Sequence, residues 1–122
     1  VAESSAIDPV EIQFDQPRRL YFNLKALRAL DRVMGEVGIQ KSLELIQALN
    51  FTTLERALWA GLLHEEPHLT VANVSKRLER FIDAGGDAGD LFTATYRAIN
   101  ESRVFGKPGG NQGNEQPEPA TA

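Results

Sequence analysis

Two apolar periods divide this chain into a short extended part and a long helical part. Glu11-Ile12-Gln13-Phe14 alternates polar and apolar residues, as a half-buried strand does. Asp15-Gln16-Pro17-Arg18 supplies turn chemistry, because Pro17 cannot donate to a sheet ladder and is excluded from a central strand position. Arg19-Leu20-Tyr21-Phe22 predicts the returning strand of a β-hairpin, and Asn23 predicts a cap for the helix behind it.

From Leu24 the apolar period lengthens to that of a helix. Leu24, Leu27, Leu30, Val33 and Met34 form one stripe, with Lys25, Arg28, Arg32 and Glu36 opposite, so a helix is expected over 24–34. Gly35 and Gly38 allow it to stop. A second helix is expected over 40–49, with Leu43, Ile46 and Leu49 inward. A third is expected from Thr52, where Thr52-Thr53-Leu54-Glu55 has the spacing of a capping box. Leu54, Ala57, Leu58, Trp59, Ala60, Leu62 and Leu63 make this third helix apolar nearly all round, which predicts the central, most buried element.

Thr70 is a good cap for a fourth helix, whose Val71, Val74, Leu78, Phe81 and Ile82 share one face on the 3.6-residue period. Lys76, Arg77 and Arg80 lie away from that stripe, and Gly85-Gly86 ends the helix. A fifth is expected over 88–102, with a small face of Leu91, Ala94 and Ala98 and a second ridge of Phe92, Tyr96 and Ile99. The predicted fold class is therefore α+β, mainly α: an N-terminal hairpin, then a compact bundle of four to five short helices. Residues 1–9 are small and polar. Residues 106–122 are Gly, Pro, Asn, Gln and Glu-rich with no large apolar side chain, and such a segment cannot bury enough surface to offset its ordering entropy. A flexible N-terminus and a disordered polar tail are expected around one domain over 10–105, in keeping with a length of 122 residues.

A formal net charge of −4 argues against a dedicated nucleic-acid binder, whose affinity rests on clustered Lys and Arg. The chain has no cysteine, which removes disulfides and thiolate chemistry and is compatible with a reducing cytoplasm. No apolar run approaches the ~18 residues of a membrane span. The acidic N-terminus carries no apolar leader region, and a start at Val1 rather than Met suggests that native residues precede it.

Catalytic chemistry has one candidate. His64-Glu65-Glu66-Pro67-His68 fits the H-E-x-x-H pattern of zinc proteases, which needs two histidines four apart on one continuous helix. Pro67 sits between them. A proline there removes a helical hydrogen bond and clashes with the preceding turn, at a cost of ~3 kcal/mol or more, and it pushes Glu66 out of helical geometry. His64 is thus expected near a helix C-terminus, favourably placed against the dipole, with Glu65 and Glu66 solvated and His68 in the connection. Asp83 to Asp90 faintly resembles a calcium loop, but the acids fall at the wrong positions, and a Gly-rich turn with Asp87 or Asp90 capping the next helix fits better. The helix pair around Asn50-Phe51-Thr52 could mimic a helix-turn-helix, although its second helix is too apolar for a major groove. No catalytic, cofactor-binding or metal-binding residue is singled out. Candidate partner-binding residues are Phe92 and Tyr96 on the fifth helix and the cationic face of Lys76, Arg77 and Arg80. Arg18-Arg19 is a further candidate contact for an acidic partner.

One stretch carries a family resemblance. The hairpin is followed by an amphipathic helix ending in Met34-Gly35, then Leu54-x-x-x-Leu58-Trp59-Ala60-Gly61-Leu62-Leu63-His64, then Pro67-x-Leu69-Thr70, Val74 and a helix to Ile82. Over about 10–102 this order resembles the tail assembly chaperones of long-tailed phages and gene transfer agents. The resemblance implies a non-enzymatic protein of the host bacterial cytoplasm, absent from the mature virion. Such a protein binds the tape measure protein, keeps it soluble and helps recruit tail tube protein, with no cofactor, nucleic acid or membrane involved. It also implies a homo-oligomer or a frameshift-extended form as further states. Two other classes remain beside it: a helical adaptor or transcription-regulator-like domain, and, more remotely, a zinc hydrolase.

Overall fold

In the computed structural model the described residues are 9–105. The polar ends expected to be flexible lie outside them, Pro9 apart. The fold is mainly helical α+β. Strands β1 (Val10–Gln13) and β2 (Pro17–Leu20) form an antiparallel hairpin, followed by helices α1 (Leu24–Val33), α2 (Ile39–Gln47), α3 (Phe51–Leu62), α4 (Val71–Asp83) and α5 (Ala88–Asn100) and a 3-10 turn, Arg103–Phe105.

The hairpin register pairs Val10 with Leu20 and Gln13 with Pro17, which leaves Phe14-Asp15-Gln16 as the loop. Both strands thus sit earlier than the sequence suggests. Pro17 is accommodated because it occupies the first position of its strand. Tyr21 and Phe22 lie beyond the ladder, and the Tyr21 N–H donates instead to the Gly61 carbonyl of α3, at 3.0 Å. This contact is close. A Cβ on Gly61 would lie 2.9 Å from Leu20 Cδ2 and from Phe22 Cζ, so the absent side chain is what lets the hairpin lie on the helix.

Helix α3 is central. Leu54, Ala57, Leu58, Ala60 and Leu62 are fully buried, and β2, α1, α2, α4 and α5 all pack on it. Its start differs from the expectation. The Asn50 side chain accepts from Thr53 N at 2.9 Å and from Thr53 Oγ1 at 3.0 Å, so the helix begins at Phe51 and the Thr52–Glu55 box does not form. Asparagine caps at least as well as threonine, and here it also satisfies the hydroxyl of buried Thr53. The other caps are Asn23, Thr70 and Asp87.

Helix α2 ends at Gln47, two residues before the expected boundary. Leu49 does not point inward: it is 60% exposed and takes a left-handed backbone, φ 62°. Leu24 and Ile82, assigned to buried stripes, are also exposed; they lie in the first turn of α1 and the last turn of α4. Helix α5 ends at Asn100. The Ser102 hydroxyl then donates to the Phe22 carbonyl at 2.6 Å, closing the C-terminal end of the domain onto the hairpin's exit.

Two changes probe this packing. Gly61→Val gains little of the helix propensity an alanine would bring, and it must displace Leu20 and the Phe22 ring. A loss of about 2–3 kcal/mol in urea unfolding is expected, and an unchanged midpoint would refute the close approach. Thr95 is fully buried and its hydroxyl has no partner among the described residues. Thr95→Val removes that unsatisfied group at near-constant shape and should stabilise the domain by about 1 kcal/mol, read as a rise in Tm.

Candidate functional site

The His64–His68 stretch has a structural role in this fold. Helix α3 stops at Leu62, and residues 63–65 form a turn in which Glu65 N and Glu66 N both donate to the Leu62 carbonyl at 2.9 Å. His64 and His68 therefore do not share a helix. His64 Nε2 donates to the Arg19 carbonyl at 2.7 Å, and its ring meets Tyr21 edge-on at 5.5 Å. His64 lies directly after the C-terminus of α3, as expected, and this hydrogen bond adds a tie to the hairpin. Trp59 Nε1 donates to the Leu69 carbonyl at 2.7 Å and fixes the path by which the chain returns after Pro67. Among the described residues no cluster of three His, Cys, Asp or Glu could hold a metal ion.

Glu66 is not solvated as expected; it joins a ring of alternating charge. Arg77 grips it through both guanidinium nitrogens, at 2.7 and 2.9 Å. Arg18 reaches Glu66 at 3.0 Å and holds Asp15 at 2.8 and 2.9 Å, while Arg77 lies 3.5 Å from Asp15. Glu65 stands further off, 3.8 Å from Arg18. The four side chains are only 12–29% exposed, so their attraction is less screened than at a free surface. The hydrogen bond from Arg18 holds the Asp15 carboxyl below its usual range, with the Arg18 and Arg77 charges acting the same way against partial burial. The hydrogen bond from Arg77 does the same for Glu66. The ring ties the hairpin loop to the α3–α4 connection and to α4.

This ring decides the fate of the cationic candidates. Arg18 and Arg77 both pair with Asp15 and Glu66 rather than lying as free surface charges. Lys76 and Arg80 remain exposed on α4, with no carboxylate within 4.0 Å among the described residues. Arg80 borders an open groove of about 470 Å³ at the hairpin loop, floored by Phe14 and Phe81, whose ring centroids are 6.1 Å apart.

The aromatic candidates lie elsewhere. Phe92 is 5% exposed and Ile99 fully buried, because α5 is packed on three sides by β1, α2 and α3. The outward ridge expected on α5 is thus reduced to half-buried Tyr96. Tyr96 and the edge of Phe92 line a shallow groove of about 250 Å³ with Ile46, Gln47, Leu49 and Thr93, between α5 and the end of α2. Phe51 extends the surface, 46% exposed with its ring edge-on to Phe92 at 5.2 Å. The structure brings Phe92 and Tyr96 together, but it places Lys76, Arg77 and Arg80 on a different element and a different groove. Sequence reasoning missed Leu49 and Phe51 as surface residues. Two large apolar side chains flanking the capping residue Asn50, in a connection that favours polar residues, were the available signal.

With known proteins, the chain matches no family model, no curated protein and no solved structure.

The ring has a pH signature. Because the folded-state pKa values of Asp15 and Glu66 are depressed, their contribution is complete above their unfolded values and is lost as pH falls through the lowered ones. Stability should be flat above about pH 5 and decline below roughly pH 4. Glu66→Gln should cost about 1 kcal/mol at neutral pH and flatten that acid decline. An unchanged acid slope in chemical denaturation would show that the ring contributes nothing.

Proposed function

We propose that this protein is a binding module of the tail-assembly-chaperone type. It engages the tape measure protein of a long-tailed phage or gene transfer agent in the host cytoplasm, keeps it soluble and helps recruit tail tube subunits, without catalysis. The observation that carries this reading is the apolar surface at exposed Leu49 and Phe51 beside half-buried Tyr96. A long helical protein with bare apolar stripes aggregates, and a small module that lays an apolar groove along such a stripe prevents it.

Three further features support the reading. The element order and the Trp59-to-Thr70 joint follow the pattern on which the family resemblance rests. The one protease-like motif is occupied by structural contacts of His64 and Glu66. Helix α3, the helix a DNA-reading motif would present, is buried, and none of the described helices is long and apolar enough to cross a membrane.

Co-expression with a tape measure protein, a very long helical chain, tests the proposal. The two should co-purify, and the soluble fraction of the long protein should rise several-fold. If the long protein remains insoluble and is not retained, the reading is wrong; salt-dependent DNA binding by the isolated chain would point to a regulator instead.

A further inference from the structure

Helix α2 is the least fastened element of the domain. Of the five described helices it alone starts without a side-chain cap. Gly38 precedes it, whereas Asn23, Asn50, Thr70 and Asp87 bond the backbone of the other four. Lys41 places a positive charge in its first turn, against the helix dipole. Among the described residues the one polar contact of its side chains is the Lys41–Glu44 pair at 3.9 Å, which stays within the helix. Helix α4, by contrast, is tied to α3 by Ser75 and Glu55 at 3.2 Å and to the preceding turn by Arg77 and Glu66.

Both flanks and the middle of α2 carry a cost that opening would release. Two non-glycine residues among the described ones hold a left-handed backbone, and they flank this helix: Glu36 at φ 60° and Leu49 at φ 62°. Both are exposed, so burial does little to offset the strain. In the middle, Ser42 is fully buried and its hydroxyl has no hydrogen-bond partner among the described residues. Thr95, the other such group, lies on α5, against which α2 packs. A buried unpaired hydroxyl has lost its water without compensation and regains it when the helix lifts. What holds α2 is apolar contact, and Leu43 and Ile46 are its two buried large side chains.

We infer that α2 is a strap: the segment 36–49 opens as one unit from a domain that otherwise stays folded, baring the faces of α3 and α5 that it covers. Proteins open in such cooperative units, at free energies well below that of global unfolding. The rest can stand without α2. Elements β2, α1, α4 and α5 each pack on α3 directly, and α5 packs on β1 as well. Ser102 also ties the end of the domain to the Phe22 carbonyl, at 2.6 Å. The strap is a property of this chain alone and does not depend on the binding role proposed above.

Native-state hydrogen exchange of the full chain at graded urea concentrations tests this. The amides of 43–48 should exchange at least about 100-fold faster than the slowest amides of α3, with a weaker urea dependence. Val74→Ala removes buried volume on α4, which closed and open forms share. It should therefore speed α3 exchange about tenfold and leave 43–48 unchanged. Glu66→Gln, a milder change in the same shared part, should show the same pattern at about fivefold. Ser42→Ala removes the unpaired hydroxyl and should slow exchange at 43–48 about fivefold. The chain has no cysteine, so the thiol of Ser42→Cys gives a second readout. A thiol reagent should label it without urea, with the opening equilibrium that amides 43–48 report. The inference is overturned if α2 and α3 exchange at one rate, or if both respond equally to Val74→Ala and Glu66→Gln. It is equally overturned if Ser42→Ala fails to slow α2, or if the Ser42→Cys thiol reacts only on global unfolding.

Discussion

The structure depends on one constraint: α3 is apolar nearly all round and has to be covered on every side. Five elements pack on it, and three of them show what that packing requires. The hairpin can approach only because residue 61 is glycine. Helix α4 can return along it because Pro67 ends the preceding turn and Trp59 fastens the chain at Leu69. Helix α5 fills the trough between β1, α2 and α3, which explains why its two apolar faces are both packed. Burial of this kind is non-directional and supplies most of the favourable free energy of folding; the specific contacts select the arrangement.

The charged ring is one such selecting contact. A two-stranded hairpin is marginal alone, and its loop would be free to lift from the helices. Asp15 on that loop and Arg18 on β2 meet Glu66 and Arg77 from the helical body, so that every charge in the ring faces an opposite one. The local motif His64-Glu65-Glu66-Pro67-His68 is explained by this geometry: one histidine holds a strand carbonyl, one glutamate closes the ring, and the proline makes the turn that brings them there. Residues that would have belonged to a metal centre on an unbroken helix belong here to a joint.

With α3 covered and the hairpin fastened, the described residues still leave an apolar surface at Leu49, Phe51 and Tyr96. Phe92 links its members: Leu49 and Tyr96 line one groove with it, and Phe51 meets its ring edge-on. Single exposed apolar residues are normal on any protein, whereas a joined patch is a place for a partner. The proposed chaperone role draws on that distinction.

The sequence by itself determined the class of fold, the hairpin, a bundle of four to five helices, the centrality of α3 and the cap at Thr70, because these follow from periodicity and capping chemistry that act over a few residues. It also determined that Pro67 separates the two histidines, a matter of covalent geometry. Contacts between residues distant in the chain were beyond it. Asn50 displaced Thr52 as a cap partly because Thr53 turned out to be buried. Arg18, Arg77 and Glu66 read as solvated charges because nothing local reveals that residues 15, 66 and 77 converge. Phe92 and Tyr96 were legible as a ridge on α5, but which of them meets solvent depended on α2 lying alongside. Leu49 read as core by its spacing from Leu43 and Ile46, and only the early end of α2 at Gln47 turned it outward. Local pattern specifies which side chains a helix groups together. How many of its sides are covered is decided by the neighbours that tertiary packing supplies.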